Sequence, residues 1–175
     1  MSSAFIRCAN PDDAAALATL ARRTFVETFV EGFQIPYPPS DLAAYLATAF
    51  ADEPVQRSLE DASHAWWVAE RAGELVAFAN TGPMSLPHAE GCPTHAELRR
   101  LYVTRAAQGL GLGTRLLDLA LAWMQEHTDG PLWIGVWSGN AKAQRLYSGY
   151  GFAKVGQYKY PVGAWHDEEW ILRRG

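Results

Sequence analysis

The sequence contains little cysteine and no long apolar run, and each of these features argues against one class of protein. Cys8 and Cys92 are the two cysteines, too few for the disulfide framework of a small secreted domain. The opening residues, MSSAFIRCANPDD, lack the apolar stretch of a secretory signal, and no segment approaches the ~20 apolar residues of a membrane span. We therefore expect a cytoplasmic protein without a membrane partner.

The sequence also lacks an excess of positive charge. Its formal net charge is -4 at pH 7, which gives no general attraction to nucleic acid or to acidic membranes. The histidines show no metal-ligand spacing. Cys92 and His95 form one pair of candidate ligands, but a zinc site would need a second pair, which the sequence does not offer. We expect neither a nucleic-acid partner nor a bound metal.

The length of 175 residues predicts one domain over 1–175, built from strand and helix patterns. Strands are predicted at 4–9, 64–70, 74–81, 96–103, 131–137, 152–160 and 168–174. Helices are predicted at 10–29, 41–50, 54–61, 113–127 and 140–150. This order predicts an α/β fold in which helices flank a mixed sheet.

The segment QGLGLGTRLL at 108–117 lies between a predicted strand and a predicted helix. A helix N-terminus presents unpaired N–H groups, and glycines allow an anion to reach them, so the segment predicts a phosphate-binding loop. It is not a P-loop, because no lysine follows Gly113. It is not a dinucleotide fingerprint, because Thr114 or Leu116 occupies the third glycine position. A strand-to-helix turn without a ligand is the alternative.

A second motif, NAKAQRLYSGYGF at 140–152, follows the glycine segment. The two segments resemble the Q/R-x-x-G-x-G/A loop and the N-x-x-A-x-x-L-Y-x-x-x-G-F helix of the GCN5-related N-acetyltransferase (GNAT) family. The resemblance covers essentially the whole chain, because the predicted order of strands and helices is also that of the family. It implies a mostly antiparallel sheet of roughly seven strands, splayed between the fourth and the fifth.

Further segments look like the PaiA-type branch of that family, whose members include spermidine and spermine acetyltransferases. These segments are TFVETF, DLAAYLATAF, ELRRLYV, LWIGVW and YGFAKVGQY. The loop PVGAWHDEEW differs, since Ala164 and Trp165 stand where the branch usually has acidic residues. The resemblance implies an N-acetyltransferase that uses acetyl-CoA as co-substrate and acetylates a primary amine of a small molecule, such as a polyamine.

The resemblance also implies which residues contact acetyl-CoA. The pyrophosphate would bind the backbone of the glycine segment, at Gln108, Gly109, Leu110, Gly111, Leu112, Gly113 and Thr114. The pantetheine arm would contact the edge of the fourth strand and the helix of the second motif, at Leu101, Tyr102, Val103, Asn140, Ala143 and Tyr147. No metal is implied.

Acetyl transfer to an amine requires one proton to leave the amine and one to reach the departing thiolate. Tyr147 matches the general acid of the family, which protonates the thiolate, and a core tyrosine is the alternative. Glu97 lies where several members place a base carboxylate. The alternatives are a salt bridge to Arg99 or Arg100 and an exposed charge at the strand end.

Two alternatives for the function and one for the oligomeric state are open at this point. In the first, the acceptor amine belongs to a protein or peptide instead of a small molecule. In the second, the chain is a non-catalytic acyl-CoA-binding sensor on the same fold, although Tyr147 and the loop glycines are all present. A homodimer through the terminal strands is compatible with such a fold but is not indicated by any residue.

Overall fold

The computed structural model describes residues 4–175. Within them lies a seven-stranded sheet of order β1-β2-β3-β4-β5-β7-β6. The strands are β1 (Phe5–Cys8), β2 (Ala65–Arg71), β3 (Glu74–Pro83), β4 (Ala96–Val103), β5 (Leu132–Trp137), β6 (Ala153–Val162) and β7 (Trp165–Arg174). All neighbouring strands are antiparallel except β4 and β5, which are parallel. The expected mixed, mostly antiparallel α/β sheet is confirmed.

Helices flank both faces of this sheet. They are α1 (Ala14–Phe25), α2 (Pro39–Ala49), α3 (Asp52–Glu60), α4 (Leu112–Glu126) and α5 (Ala141–Gly149). Short 3₁₀ turns over Pro11–Asp13 and Arg105–Ala107 precede α1 and the glycine segment. In the described part of the chain, no helix is long and apolar enough to cross a membrane.

Helix α1 begins later than the helix predicted over 10–29. The Asn10 side chain accepts a hydrogen bond from the backbone of the first turn, and the Asp13 carboxylate accepts one from the Asn10 N–H. This reciprocal capping box encloses a 3₁₀ turn, so regular α-helix starts only at Ala14. Asn10 therefore caps a 3₁₀ turn, and the α-helical first turn predicted there does not form.

The end of the same predicted helix also differs in geometry. After α1 the chain continues as a wider π-helix over Val26–Gly32. The π-helix places the rings of Phe29 and Phe33 against Trp137, with centroids 6.4 and 4.6 Å away. Local apolar periodicity does not predict the wider turns of this segment, and the ring that it contacts belongs to a distant strand, β5.

The alternation of side chains along the strands divides the apolar residues between two cores. Trp66 faces one side of β2 and Trp67 faces the other. Helices α4 and α5 cover the Trp67 side, where the core includes Leu116, Leu117, Met124, Ile134 and Leu172. Helices α1, α2 and α3 cover the Trp66 side, where the core includes Leu17, Phe25, Phe50, Val55 and Phe78.

Strands β4 and β5 pair only at their beginnings. Residues 96–98 are in register with residues 132–134, and no pairing between these strands continues beyond them in the described chain. From there β5 stays paired with β7, while β4 stays paired with β3. The strands therefore diverge and leave one backbone edge of residues 99–103 without a strand partner, as the splayed sheet predicted.

Candidate active site

A cavity of about 1160 Å³ opens where β4 and β5 diverge. Its walls come from both sides of the sheet, since it reaches from the glycine segment and α5 to the aromatic residues of α1 and α2. Strands β6 and β7 contribute Tyr158, Tyr160, Asp167 and Glu169 to the wall at the α2 side. The cavity thus connects the predicted phosphate-binding loop with a second region that is rich in tyrosines and carboxylates.

The glycine segment curves around one mouth of the cavity. Gly109 and Gly111 have φ angles of +82° and +72°, in the left-handed region that favours glycine. A Cβ at either position would have no heavy atom within 4 Å among the described residues, so the surface in front of them is open. Gly111 directly precedes α4, whose first N–H groups have no helical partner. The chemistry and the open surface fit a phosphate group.

The other predicted loop residues contribute unequally. Gln108, Leu112, Gly113 and Thr114 line the cavity together with the two left-handed glycines. Leu110 does not line it, and its side chain is 49% exposed. A Cβ on Gly113 would lie 3.6 Å from Val103 Cγ2, an ordinary contact, so this position does not require glycine for space.

The free edge of β4 and the start of α5 form the middle of the cavity. Leu101, Tyr102 and Val103 are half-buried and line it, next to the backbone groups that β5 leaves unpaired. Asn140 Oδ1 accepts a hydrogen bond of 3.0 Å from the N–H of Ala143, which caps α5, and both residues line the cavity. An extended amide-containing chain could hydrogen-bond along this edge as an added strand would.

Tyr147 lies on α5 at the same cavity. Its side chain is 7% exposed, and its hydroxyl makes no hydrogen bond to any other residue among 4–175. Burial raises the pKa of this hydroxyl well above its usual value, and the carboxylate of Glu169 raises it further. The phenol therefore stays protonated at neutral pH and is available to donate a proton into the cavity.

Glu97 is buried near the start of β4 and also lines the cavity. Its Oε2 accepts hydrogen bonds from the Ser85 N–H at 2.7 Å and from Ser85 Oγ at 3.0 Å. Burial raises the pKa of this carboxyl, whereas Ser85 and the charge of Arg99 lower it. Neither Arg99 nor Arg100 forms an ion pair with it in the described chain, so the salt-bridge alternative does not apply.

Residues 22–152 match the model of the Acetyltransferase (GNAT) family. The chain belongs to this family. Membership makes the protein an N-acyltransferase enzyme, in agreement with the names of its relatives. The GNAT assignment from the two sequence motifs is confirmed.

Curated relatives of this GNAT protein are distant in sequence. An uncharacterized N-acetyltransferase of Lactobacillus delbrueckii subsp. lactis is 22% identical over 148 residues, which cover 85% of this chain and 86% of that protein. An uncharacterized N-acetyltransferase of Mycobacterium tuberculosis is 26% identical over 162 residues, which cover 93% and 97%. A mycothiol acetyltransferase of Acidothermus cellulolyticus is 34% identical over 142 residues, which cover 68% of this chain and 43% of that protein.

Solved structures share the GNAT fold over nearly the whole chain. The PaiA N-acetyltransferase from Thermoplasma acidophilum, solved in complex with coenzyme A, superposes with a TM-score of 0.72 at 18% identity and covers 98% of both chains. The ribosomal-protein-S18-alanine N-acetyltransferase from Escherichia coli gives a TM-score of 0.65 at 19% identity and covers 98% of this chain and 93% of its own. At these identities the likeness establishes the fold.

The GNAT cavity also contains a polar cluster that sequence reasoning missed. Asp167 is buried and accepts hydrogen bonds from the Tyr37 hydroxyl at 2.5 Å and from Trp165 Nε1 at 2.9 Å. The hydroxyls of Tyr45 and Tyr160 lie 2.9 Å apart in the same region. Asp167, Glu169, Tyr45 and Tyr160 line the cavity on the face that α1 and α2 cover. Tyr37 and Trp165 do not line it but hydrogen-bond to Asp167.

A sequence signal for this cluster exists in β7. Asp167 and Glu169 are two residues apart, so in a strand they point to the same face as Ile171, which is buried. The predicted strand began at residue 168, three residues after the observed start at Trp165, and this late start removed Asp167 from the pattern.

Proposed function

We propose that this GNAT enzyme transfers the acetyl group of acetyl-CoA to a primary amine of a small cationic molecule, with polyamines as the first candidates. One observation carries the proposal: the cavity at the divergence of β4 and β5 joins the glycine loop to Tyr147 and to the carboxyl groups of Asp167 and Glu169. A donor with a phosphate-rich end and an acceptor with an ammonium group fit the two ends.

Each part of the donor has a matching group in the cavity. The N–H groups that follow Gly109 and Gly111 would bind the pyrophosphate, and the free edge of β4 at Tyr102 and Val103 would bind the amides of the pantetheine arm. Tyr147 would protonate the thiolate of coenzyme A as the carbon–sulfur bond breaks. The match of the PaiA structure, which contains coenzyme A, supports this donor.

The acceptor end favours a positively charged amine. Asp167 supplies a carboxylate, Glu169 supplies a carboxyl group that can accept a proton from the amine, and Tyr45, Tyr158 and Tyr160 supply aromatic faces and hydroxyls. Carboxylates attract an ammonium group, and aromatic faces stabilise it further once water is displaced. The two cysteines form no disulfide, which fits the cytoplasmic setting in which such amines and acetyl-CoA occur.

The proposal is tested by measuring free thiol released from acetyl-CoA against a panel of amines. The panel contains spermidine, spermine, diamines, aminoglycosides, amino acids and short peptides. Saturable thiol release with a polyamine, together with one added acetyl mass on the product, is the expected result. Release only with peptides would overturn the small-molecule acceptor, and acetyl-CoA binding without release for any amine would favour the sensor alternative.

A further inference from the structure

We propose that Glu169 of β7 is the general base that takes the proton from the acceptor amine. This inference rests on the proposed amine acetyltransferase function and assigns a residue to its second proton transfer. Glu97, the candidate from the sequence, lies at the same cavity, so the two carboxylates have to be compared by position and by hydrogen bonding.

The position of Glu169 follows from the register of three strands. Glu169 lies between Trp137 of β5 and Tyr158 of β6. Its Oε2 is 3.9 Å from the point where a Cβ on Gly135 would lie. Gly135 is the first residue of β5 beyond the segment paired with β4. The carboxylate therefore stands beside the opening between the two strands, where the thioester would be exposed to an attacking amine.

Glu169 and Tyr147 approach this opening from opposite faces of the sheet. Tyr147 belongs to the core that α4 and α5 cover, whereas Glu169 shares its face with Trp137 and Tyr160, next to α1 and α2. The charge of Glu169 nevertheless acts on the Tyr147 hydroxyl across the opening. An acid on the donor side and a base on the acceptor side match the two proton transfers of the reaction.

Hydrogen bonding also distinguishes the two carboxylates. The Glu169 side chain forms no hydrogen bond or ion pair with another residue among 4–175, so its oxygens are available to a ligand. Glu97 has one oxygen occupied by the N–H and the hydroxyl of Ser85. Asp167 is likewise occupied, by Tyr37 and Trp165.

The surroundings of Glu169 suit a group that must accept a proton near neutral pH. The groups that face it are Asp167 on its own strand and the hydroxyls of Tyr37, Tyr102, Tyr147 and Tyr158 from the neighbouring elements. Arg99, Arg100 and Lys159 line the same cavity without forming an ion pair with it. Burial, and then the charge of Asp167, raise the pKa of Glu169 to about 8.

The proposed step balances protons and electrons. One proton of the bound ammonium passes to Glu169 and on to water, which leaves the free amine. The nitrogen lone pair forms the C–N bond, the C–S bond breaks, and its electron pair leaves on sulfur, which takes the phenol proton of Tyr147. The nitrogen gives its second proton to Glu169, and water returns that proton to the Tyr147 phenolate. Ammonium and thioester thus give amide, thiol and one released proton.

The test compares Glu169→Gln with Glu168→Gln, using the amine that the panel identifies. Glu168 is the matched control because it is the adjacent glutamate, exposed and directed to the other side of β7. We expect Glu169→Gln to lower kcat at neutral pH by about 100-fold or more, and Glu168→Gln to behave as wild type. Acetyl-CoA should still raise the Tm of both variants, which shows that they are folded.

The pH profile separates a base from a merely structural residue. Wild-type kcat/KM should rise with pH up to the pKa of Glu169, because only the carboxylate accepts a proton. In Glu169→Gln the rise of kcat/KM with pH should instead follow the pKa of the free amine. The difference in kcat/KM between the variant and wild type should therefore shrink as the pH rises. An acceptor with a weakly basic amine, which arrives already deprotonated, should also show a smaller deficit.

Several outcomes would overturn the assignment. Wild-type rates and an unchanged pH profile in Glu169→Gln would exclude Glu169 as the base, and the same signature found in Glu97→Gln instead would assign the base to Glu97. If Glu169→Gln fails to bind acetyl-CoA, Glu169→Ala is assayed with added formate, and the absence of rescue overturns the proposal. A wild-type protein that releases no thiol with any amine overturns the proposed function and this assignment together.

Discussion

The Tyr37 hydroxyl donates a 2.5 Å hydrogen bond to Asp167 Oδ2 and so ties the segment before α2 to strand β7 across 130 residues of sequence. Both side chains are buried. Burial and Asp167 raise the pKa of the tyrosine well above its usual value, so it stays a hydrogen-bond donor. The bond positions the acidic wall of the cavity relative to the segment that leads into α2.

Tyr37→Phe should therefore destabilise the protein. The substitution removes one of the two donors to a buried carboxylate and leaves Trp165 as the other, which should cost about 2 kcal/mol of the free energy of unfolding. Urea denaturation measures this loss. Tyr150→Phe is the control, because its bond to Asp118 is exposed and should contribute within about 0.5 kcal/mol. Equal losses in the two variants would contradict the structural role given to Tyr37.

Tyr147→Phe should separate catalysis from donor binding. The variant keeps the ring that packs against Phe152 and loses only the hydroxyl that protonates the thiolate, so kcat should fall by about 100-fold or more. Acetyl-CoA affinity, measured by calorimetric titration, should stay unchanged. Tyr150→Phe, one turn further along the chain, should keep wild-type kcat. An unaltered kcat in Tyr147→Phe would remove this residue from the mechanism.

Substitutions at Gly111 should separate the shape of the phosphate loop from its charge. Gly111→Asn and Gly111→Asp impose the same left-handed strain, but only aspartate places a negative charge beside the pyrophosphate. Gly111→Asp should bind acetyl-CoA at least about tenfold more weakly than Gly111→Asn. This difference in affinity should become smaller at high salt, which screens the charge.

Gly113→Ala is the matched control for these loop variants. An alanine Cβ would make an ordinary contact with Val103, so acetyl-CoA affinity should stay close to wild type. Binding by Gly111→Asp at wild-type affinity, measured by the same calorimetric titration, would mean that the pyrophosphate does not lie on this loop.

The sequence predicts well which residues line the cavity at the glycine segment and α5. The glycine segment and Tyr147 are recognised by spacing within short motifs, and the period-2 strands and amphipathic helices fix the elements that present them. The one local exception is Leu110, which the motif includes but whose side chain is exposed outside the cavity.

The acceptor side is the part that the sequence does not predict. Tyr37 and Asp167 are 130 residues apart in the sequence, and no local pattern around either residue indicates the hydrogen bond between them. Glu169 becomes a candidate base only through the register that sets it beside Gly135. The ring contacts of Phe29 and Phe33 with Trp137 likewise join segments that lie far apart in the sequence. Contacts between residues so far apart in the sequence follow from the topology of the fold and not from a local sequence pattern.

Glu169 should also reduce the stability of the protein, and the size of that effect should depend on pH. Its pKa in the folded protein is raised to about 8, above the ordinary value of 4.5 expected in the unfolded chain. A raised carboxyl pKa means that the folded state favours the protonated form. Glu169 therefore carries no stability penalty below the unfolded pKa. The penalty grows as the pH rises above that value and is complete once the pH has passed the folded pKa.

Glu169→Gln should remove this pH dependence, because glutamine does not ionise. The free energy of unfolding of the variant, relative to that of wild type, should increase as the pH rises from about 4.5 to about 8, and the difference should then stay constant. Urea denaturation at a series of pH values measures it, with Glu168→Gln expected to follow wild type. A parallel pH dependence in Glu169→Gln and wild type would show that the carboxylate ionises as readily in the folded protein as in water, and so lacks the environment of a base.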